Sequence, residues 1–173
     1  MISFVCAALM DWILFFATFA LLYRVGASGM GQERGMWLGV LFQAAYMATS
    51  AAAGRLLTRR NARAALLAGT ALTAFGGAAC ILAGSFPLMV GAMVLTGLAA
   101  AVFFNSFQSF MRGQAPPGGL SLTVALYTLA WSAGSSLGQL SSGALYGLGF
   151  GVMAATDLAA GAAVFAILLM VRP

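Results

Sequence analysis

Six long runs of apolar residues, separated by arginines or by clusters of glycine and proline, occupy most of this 173-residue chain. A bilayer core of about 30 Å is spanned by roughly 20 helical residues with a rise of about 1.5 Å each. The runs lack the alternating pattern of barrel strands, and backbone polar groups cannot stay unpaired in hydrocarbon, so helices are the expected spanning form. We therefore predict membrane helices over residues 2–23, 36–54, 64–84, 86–111, 120–146 and 149–171.

The composition supports a membrane protein. Hydrophobic residues make up 62% of the chain and charged residues only 6%. A water-soluble globule needs far more polar surface than this. We predict an all-α integral membrane bundle that forms one six-helix domain over residues 1–173.

Several classes of chemistry are excluded because the chain contains no histidine and no lysine. A Ser-His-Asp triad, a Cys-His pair, a Schiff base and a histidine-ligated metal site all require one of these residues. We therefore expect no enzyme activity, no cofactor and no metal. The net charge of +5 is explained by membrane orientation, so no nucleic-acid partner is expected.

The arginines predict the orientation of the six helices. One side of the predicted bundle carries both termini and the second and fourth loops, and the other side carries the remaining loops. The first side holds six arginines, Arg55, Arg59, Arg60, Arg63, Arg112 and Arg172. The second side holds only Arg24 and Arg34. The positive-inside rule therefore predicts that both termini are cytoplasmic, and we expect a bacterial inner membrane.

Asp11 lies near the middle of the first run, where an ionised carboxylate costs about 2.5–3.5 kcal/mol on insertion scales. Thr18 follows seven positions later, within about 20° on a helical wheel, so both side chains can face one polar cavity. A functional acid is one interpretation. A protonated carboxyl, or one that hydrogen-bonds to a neighbouring helix for packing, is the other.

Two further sets of polar residues interrupt the runs. Asn105, Gln108 and Arg112 recur at i, i+3 and i+7 on the fourth helix. They form either the wall of a water-filled path or a row of interhelical hydrogen bonds. Asp157, in the sixth run, is either a proton-titrating site, a contact with another subunit, or a residue hydrated near the membrane surface.

The second loop carries the most specific pattern. The segment from Gly54 to Arg63 resembles the inter-helix motif of the major facilitator superfamily, which reads glycine, three residues, aspartate, arginine, any residue, glycine, any residue, arginine. Gly54, Arg59 and Arg63 match this motif. Thr58 stands at the aspartate position. Asn61 stands at the second glycine position, where we expect it to adopt a left-handed conformation or to cap the following helix.

Two helices resemble the same family. The fifth run matches the pattern Gly-x-x-x-Gly-Pro-x-x-Gly-Gly at Gly134, Gly138 and Gly143, with Gln139 in the proline position and Ser142 in a glycine position. The fourth run has a family-like segment of small residues over 97–101, preceded by Met93 where an arginine is frequent. Glycines four residues apart also allow two helix backbones to approach closely.

The resemblance implies the N-terminal six-helix half of a twelve-helix transporter. It implies that helices 1 and 4 line a central cavity, that helices 2 and 5 face the other half, and that helices 3 and 6 lie outside. A substrate or ion path is then expected at Asp11, Gln43, Asn105 and Gln108. A gating loop is expected at Gly54, Thr58, Arg59, Asn61, Arg63 and Arg112.

Two functions remain open at this point. One is a half-sized transporter of small solutes that works with a second half or as a dimer. The other is a non-transporting six-helix subunit that serves assembly within a larger membrane complex. For the dimer, we expect Gly134 and Gly138 of one copy to meet Ala44, Ala48 and Ala51 of another.

Overall fold

The computed structural model describes residues 2–58, 60–114 and 116–170, and these residues form helices joined by short loops, with no strand among them. The helices are α1 (Ile2–Ala27), α2 (Gln32–Leu56), α3 (Ala62–Leu82), α4 (Phe86–Gln114), α5 (Leu120–Leu145) and α6 (Phe150–Met170), with a short 3₁₀ turn at Tyr146–Leu148 before α6. The predicted all-α class is confirmed, and each predicted helix corresponds to one observed helix.

The largest differences from the predicted bounds lie around the first loop. α1 continues to Ala27 and α2 already begins at Gln32, because polar residues mark the edge of the hydrocarbon and a helix can continue past that edge. α1 ends in a Schellman motif, in which the Met30 amide donates to the Val25 carbonyl at 3.2 Å. Gly29 supplies the left-handed residue of this motif, with φ of 68°.

Five of the six helices are long and apolar enough to cross a membrane, namely α1, α2, α3, α4 and α6. α5 has 26 residues, which is sufficient length, but serines, threonines and glycines reduce its apolar character. Several of its hydroxyls donate to carbonyls one turn earlier, such as Thr128 to Val124 at 3.0 Å and Ser141 to Leu137 at 2.7 Å. These bonds within the helix satisfy the hydroxyl groups and make α5 compatible with a bilayer.

The helices pack as two repeats of three. α1 packs against α5 as α4 packs against α2, and α4 packs against α3 more extensively than α1 packs against α6. α1 also packs against α3. Successive helices alternate in direction, so the second set of three is inverted relative to the first. α3 and α6 also pack on each other, whereas α2 and α5 lie at opposite ends of this arrangement. A groove therefore separates α2 from α5.

Glycines on α5 allow its close approach to α1. A Cβ atom at Gly138 would lie 2.5 Å from the Trp12 carbonyl oxygen, and one at Gly134 would collide with the Ala8 carbonyl. The predicted close packing at these glycines is present, but its partner is α1 of the same chain. The expectation that Gly134 and Gly138 meet the alanines of a second copy is therefore corrected. Gly143 also faces α1, near the Tyr23 hydroxyl.

Burial is strongly asymmetric between α2 and α3. α3 contains ten buried residues, whereas α2 contains only two, Leu38 and Ala53. Close approach explains the burial of α3, because a Cβ atom at Gly69 would lie 2.7 Å from the Phe103 backbone nitrogen on α4. The bundle is therefore tightly packed on the α3 and α6 side and open on the α2 side.

Two arginines bridge elements at opposite ends of the bundle. Arg63 donates to the Leu169 carbonyl at 3.1 Å, which joins the start of α3 to the end of α6. At the other end, Arg24 donates to the Ala83 carbonyl at 3.2 Å and lies 4.7 Å from the centroid of the Phe150 ring. We call the end of the bundle that holds the start of α1 the inner end, because the predicted orientation places the N-terminus in the cytoplasm.

Candidate functional site

The groove between α2 and α5 contains a cavity of about 430 Å³ halfway along the bundle. We call it the middle cavity. α1 and α4 form its floor, and α2 and α5 form its walls. Six of its eleven lining residues are aromatic. The lining residues are Asp11, Leu14, Phe15, Phe42, Gln43, Tyr46, Phe104, Gln108, Tyr127, Thr128 and Trp131.

Asp11 borders the middle cavity from α1. Its side chain has no solvent exposure in this conformation, and neither carboxyl oxygen has a hydrogen-bond partner within 2–58, 60–114 and 116–170. The Trp131 side chain of α5 lies beside the carboxyl group, so the structure is compatible with both interpretations of Asp11, a functional acid and a contact with a neighbouring helix. The carboxyl group lies between the packed core and open volume.

Thr18 does not share this cavity with Asp11, which corrects the expectation from the helical wheel. It lines a separate, mostly apolar cavity of about 530 Å³ between α1 and the start of α2, and its hydroxyl donates to the Leu14 carbonyl at 2.7 Å. Gln43 is exposed and lines the middle cavity as one of its few polar groups. Asp11 and Gln43 are thus brought together across the groove.

The polar row on α4 lines a third cavity, of about 320 Å³, at the inner end. Asn105, Gln108 and Arg112 all border this inner cavity. Asn105 also donates to the Ser50 hydroxyl at 3.0 Å, which links α4 to α2. Asn105 therefore fits both interpretations of this row, because it borders a cavity and also makes an interhelical hydrogen bond. Gln108 borders both the inner and the middle cavity and connects them.

The two departures from the loop motif contact each other. The Thr58 amide donates to the Asn61 side-chain oxygen at 2.7 Å, and the Asn61 amide donates to the Thr58 hydroxyl at 3.4 Å. This reciprocal pattern is that of a capping box. The NH2 group of the Asn61 side chain also donates to the Leu56 carbonyl at 2.9 Å. We call this arrangement the Thr58–Asn61 clasp.

Asn61 itself behaves differently from the prediction. Its φ of −103° is right-handed, and its side chain makes no capping bond to the first turn of α3. The carboxamide turns back to Thr58 and Leu56 instead, because these groups close the loop. Asparagine therefore acts here as a hydrogen-bonding residue and does not substitute for the conformational freedom of glycine.

The other residues of the predicted gating loop have different surroundings. Arg63 joins α3 to α6, as described above, and Arg112 is exposed in the inner cavity. Gly54 borders the same cavity, and a Cβ atom there would meet nothing within 4 Å. Packing therefore does not require glycine at this position. Arg59 lies outside the described residues.

The position of Asp157 contradicts two of its three interpretations and does not test the third, a proton-titrating site. Its side chain is fully buried inside the bundle, so contact with another subunit and hydration near the surface are both corrected. A Cβ atom at Gly77 would lie 2.6 Å from the Asp157 Oδ2 atom and 3.0 Å from the Ala17 Cβ. The glycine on α3 makes room for the carboxyl group, and the adjacent Gly76 and Gly77 were the available signal.

The groove and the repeated packing pattern agree with a comparison with known proteins. No curated protein and no solved structure matches the chain. The family model of the Major Facilitator Superfamily matches it over residues 1–173. Six helices arranged as an inverted repeat, with a groove between the second and fifth, are the arrangement expected for half of such a transporter. The chain belongs to the Major Facilitator Superfamily.

Proposed function

We propose that this chain forms one half of a facilitator-type secondary transporter and that small solutes cross the membrane through the groove between α2 and α5. One observation carries the proposal: the buried carboxyl group of Asp11 borders the middle cavity. A buried ionisable group beside open volume at mid-membrane depth is typical of substrate and ion paths. Transporters of this family bind solutes near the midplane, between two six-helix halves.

A second six-helix unit would complete the path. In this chain the groove has a floor and two walls, and the opposite side would come from the second unit. The low burial of α2 leaves this side of the helix free for such a contact. Ala44, Ala48 and Ala51 are exposed on α2 and would allow close approach. The two halves of this fold point the same way, so a second copy can serve without inverting.

Disulfide crosslinking tests the pairing. Ala48→Cys would be introduced after Cys6 and Cys80 have been replaced by alanine, and the protein would be oxidised in its native membranes. Ala162→Cys is the matched control, because Ala162 is exposed on α6, away from the groove. We expect crosslinked dimers with Ala48→Cys only. Dimers formed through Ala162→Cys alone would contradict the proposed surface.

Uptake into proteoliposomes tests the path. The purified chain would be assayed with a panel of sugars, amino acids, organic cations and organic anions. We expect Asp11→Asn to reach normal protein levels and to lose the uptake that the wild type shows. Glu33→Gln is the matched control, since Glu33 is exposed at the start of α2. Full uptake by Asp11→Asn would remove this residue from the mechanism and contradict the proposed path.

A further inference from the structure

We infer that the middle cavity binds an organic cation with a single positive charge and an apolar body that contains rings. The inference rests on the proposed function, because it names the class of solute that the same groove would take. It stands on three features of the cavity: its charge, its aromatic lining and its size. Each of these features separates an organic cation from other small solutes.

Charge is the first feature. Asp11 is the only charged side chain among the described residues that line the middle cavity. A carboxyl group held away from water stays ionised only with a compensating charge, and no basic side chain among the described residues lines this cavity to supply one. A bound cation supplies it. The attraction does not require direct contact, because a site of low dielectric transmits it over several ångströms.

The aromatic lining is the second feature. Aromatic residues make up six of the eleven lining residues, against 12% of the whole chain. The face of an aromatic ring attracts a cation, and the ring also buries apolar surface of the ligand. Two of the rings are held by stacking: Tyr127 on Phe107 at 5.7 Å and Tyr46 on Phe42 at 6.1 Å between centroids. Held rings reduce the entropy lost on binding.

Size is the third feature, and together with charge it argues against other solutes. The volume of about 430 Å³ lies within the usual range for sites that take small organic molecules. An organic anion would find its counter-charge at Arg112, which borders the inner cavity and not the middle one. A neutral polyol would offer the Asp11 carboxyl group no counter-charge and would gain no electrostatic attraction from it.

Binding of three probes of one shape tests the charge. Tetraphenylphosphonium, neutral tetraphenylsilane and anionic tetraphenylborate would be measured by equilibrium dialysis of the purified chain in detergent, with empty micelles subtracted. We expect saturable binding of tetraphenylphosphonium alone, weakened roughly tenfold or more by Asp11→Asn. Asp157→Asn makes the same chemical change away from the groove, and we expect it to retain wild-type affinity. Tighter binding of the anion or the neutral probe would overturn the inference.

Two tryptophan variants test the aromatic lining. This test keeps Asp11, so its result does not depend on whether the Asp11 variant folds. Trp131→Leu removes a ring from the cavity, whereas Trp37→Leu removes an exposed ring of α2 that does not line it. We expect roughly threefold to thirtyfold weaker tetraphenylphosphonium binding for Trp131→Leu, as a cation–π contact predicts. Unchanged affinity in this variant would contradict the inference.

The outcomes separate this inference from the proposed function. If tetraphenylphosphonium binds in an Asp11-dependent way but no solute enters proteoliposomes, the inference stands and the transport proposal fails. If another solute is transported while tetraphenylphosphonium neither binds nor competes, the transport proposal stands and the inference fails.

Discussion

Two buried aspartates in this bundle, Asp11 and Asp157, have the same chemistry and opposite surroundings. Both are without solvent exposure, and neither has a hydrogen-bond partner in the described part of the chain. Asp11 borders a cavity of about 430 Å³ lined by aromatic and amide side chains. Asp157 is enclosed where α6 packs on α3, with Gly77 against its carboxyl group and Ala17 on the other side of that glycine's Cβ position. Burial of a carboxyl group therefore does not by itself identify a binding site.

The difference lies in adjacent free volume and in the helices that supply it. α1 faces the groove on one side and the packed core on the other, so a polar residue on its groove side meets open space. α6 packs against α3 and α1, and small residues on those helices fill the region around Asp157. We expect the two sites to respond differently to added volume, to reagents and to loss of a hydrogen bond.

The largest expected effect comes from filling the space next to Asp157. Gly77→Leu would push a side chain into the Oδ2 atom, which lies 2.6 Å from the position of its Cβ. Overpacking of this kind lowers the free energy of unfolding by about 1–3 kcal/mol. We expect a lower thermal midpoint and a lower yield of monodisperse protein in detergent. Gly91→Leu is the control, because a Cβ atom there meets nothing within 4 Å. Equal behaviour of the two variants would refute the enclosed site.

A smaller difference is expected in the rates at which thiols introduced at the two sites react with a reagent. In a chain whose Cys6 and Cys80 are replaced, Gln43→Cys places a thiol in the groove and Asp157→Cys places one in the enclosed region. Thiol reactions depend on access, so a water-soluble methanethiosulfonate reagent should label Gln43→Cys at least roughly tenfold faster. Mass spectrometry of timed samples gives both rates. Similar rates would mean that the enclosed region opens to water as readily as the groove.

The smallest expected effect concerns the polar contact that holds α2 on α4. Asn105→Ala removes the bond to Ser50. Interhelical hydrogen bonds in membranes contribute on average about 0.6 kcal/mol, so the thermal midpoint should fall only slightly. Ser109→Ala is the matched control, because the Ser109 hydroxyl donates only to the Asn105 carbonyl of its own helix. A loss as large as that of Gly77→Leu would show that this bond, and not packing, fixes α2.

The number and placement of the helices could be predicted from the sequence because hydropathy is a local property. Length and arginine position identify each spanning run without knowledge of its neighbours. The predicted end of α1 near Arg24 and the predicted start of α2 near Glu33 were misplaced for the same reason. These residues lie where the membrane stops, but the helices continue to Ala27 and start again at Gln32.

Which helices pack against each other could not be predicted, because the spacing of residues describes one helix at a time. The spacing of Gly134 and Gly138 correctly predicts a close backbone approach, but it does not say which helix approaches. Asp157 presents the same difficulty. Apart from Thr156 and Asp157, α6 is apolar on all sides, so its sequence carries no stripe that distinguishes the buried face from the lipid face.

The Thr58–Asn61 clasp determines how this loop would respond to the residues that the family motif has at the two positions. Aspartate at position 58 could still accept the Asn61 amide hydrogen, because aspartate and threonine serve equally as acceptors at such positions. Glycine at position 61 would remove both hydrogen bonds of the asparagine side chain. Both side-chain bonds of Asn61 go to backbone groups, so they do not depend on the side chain at position 58. A return to the family's aspartate at position 58 would therefore leave the loop closed, whereas a return to glycine at position 61 would remove the bonds that close it.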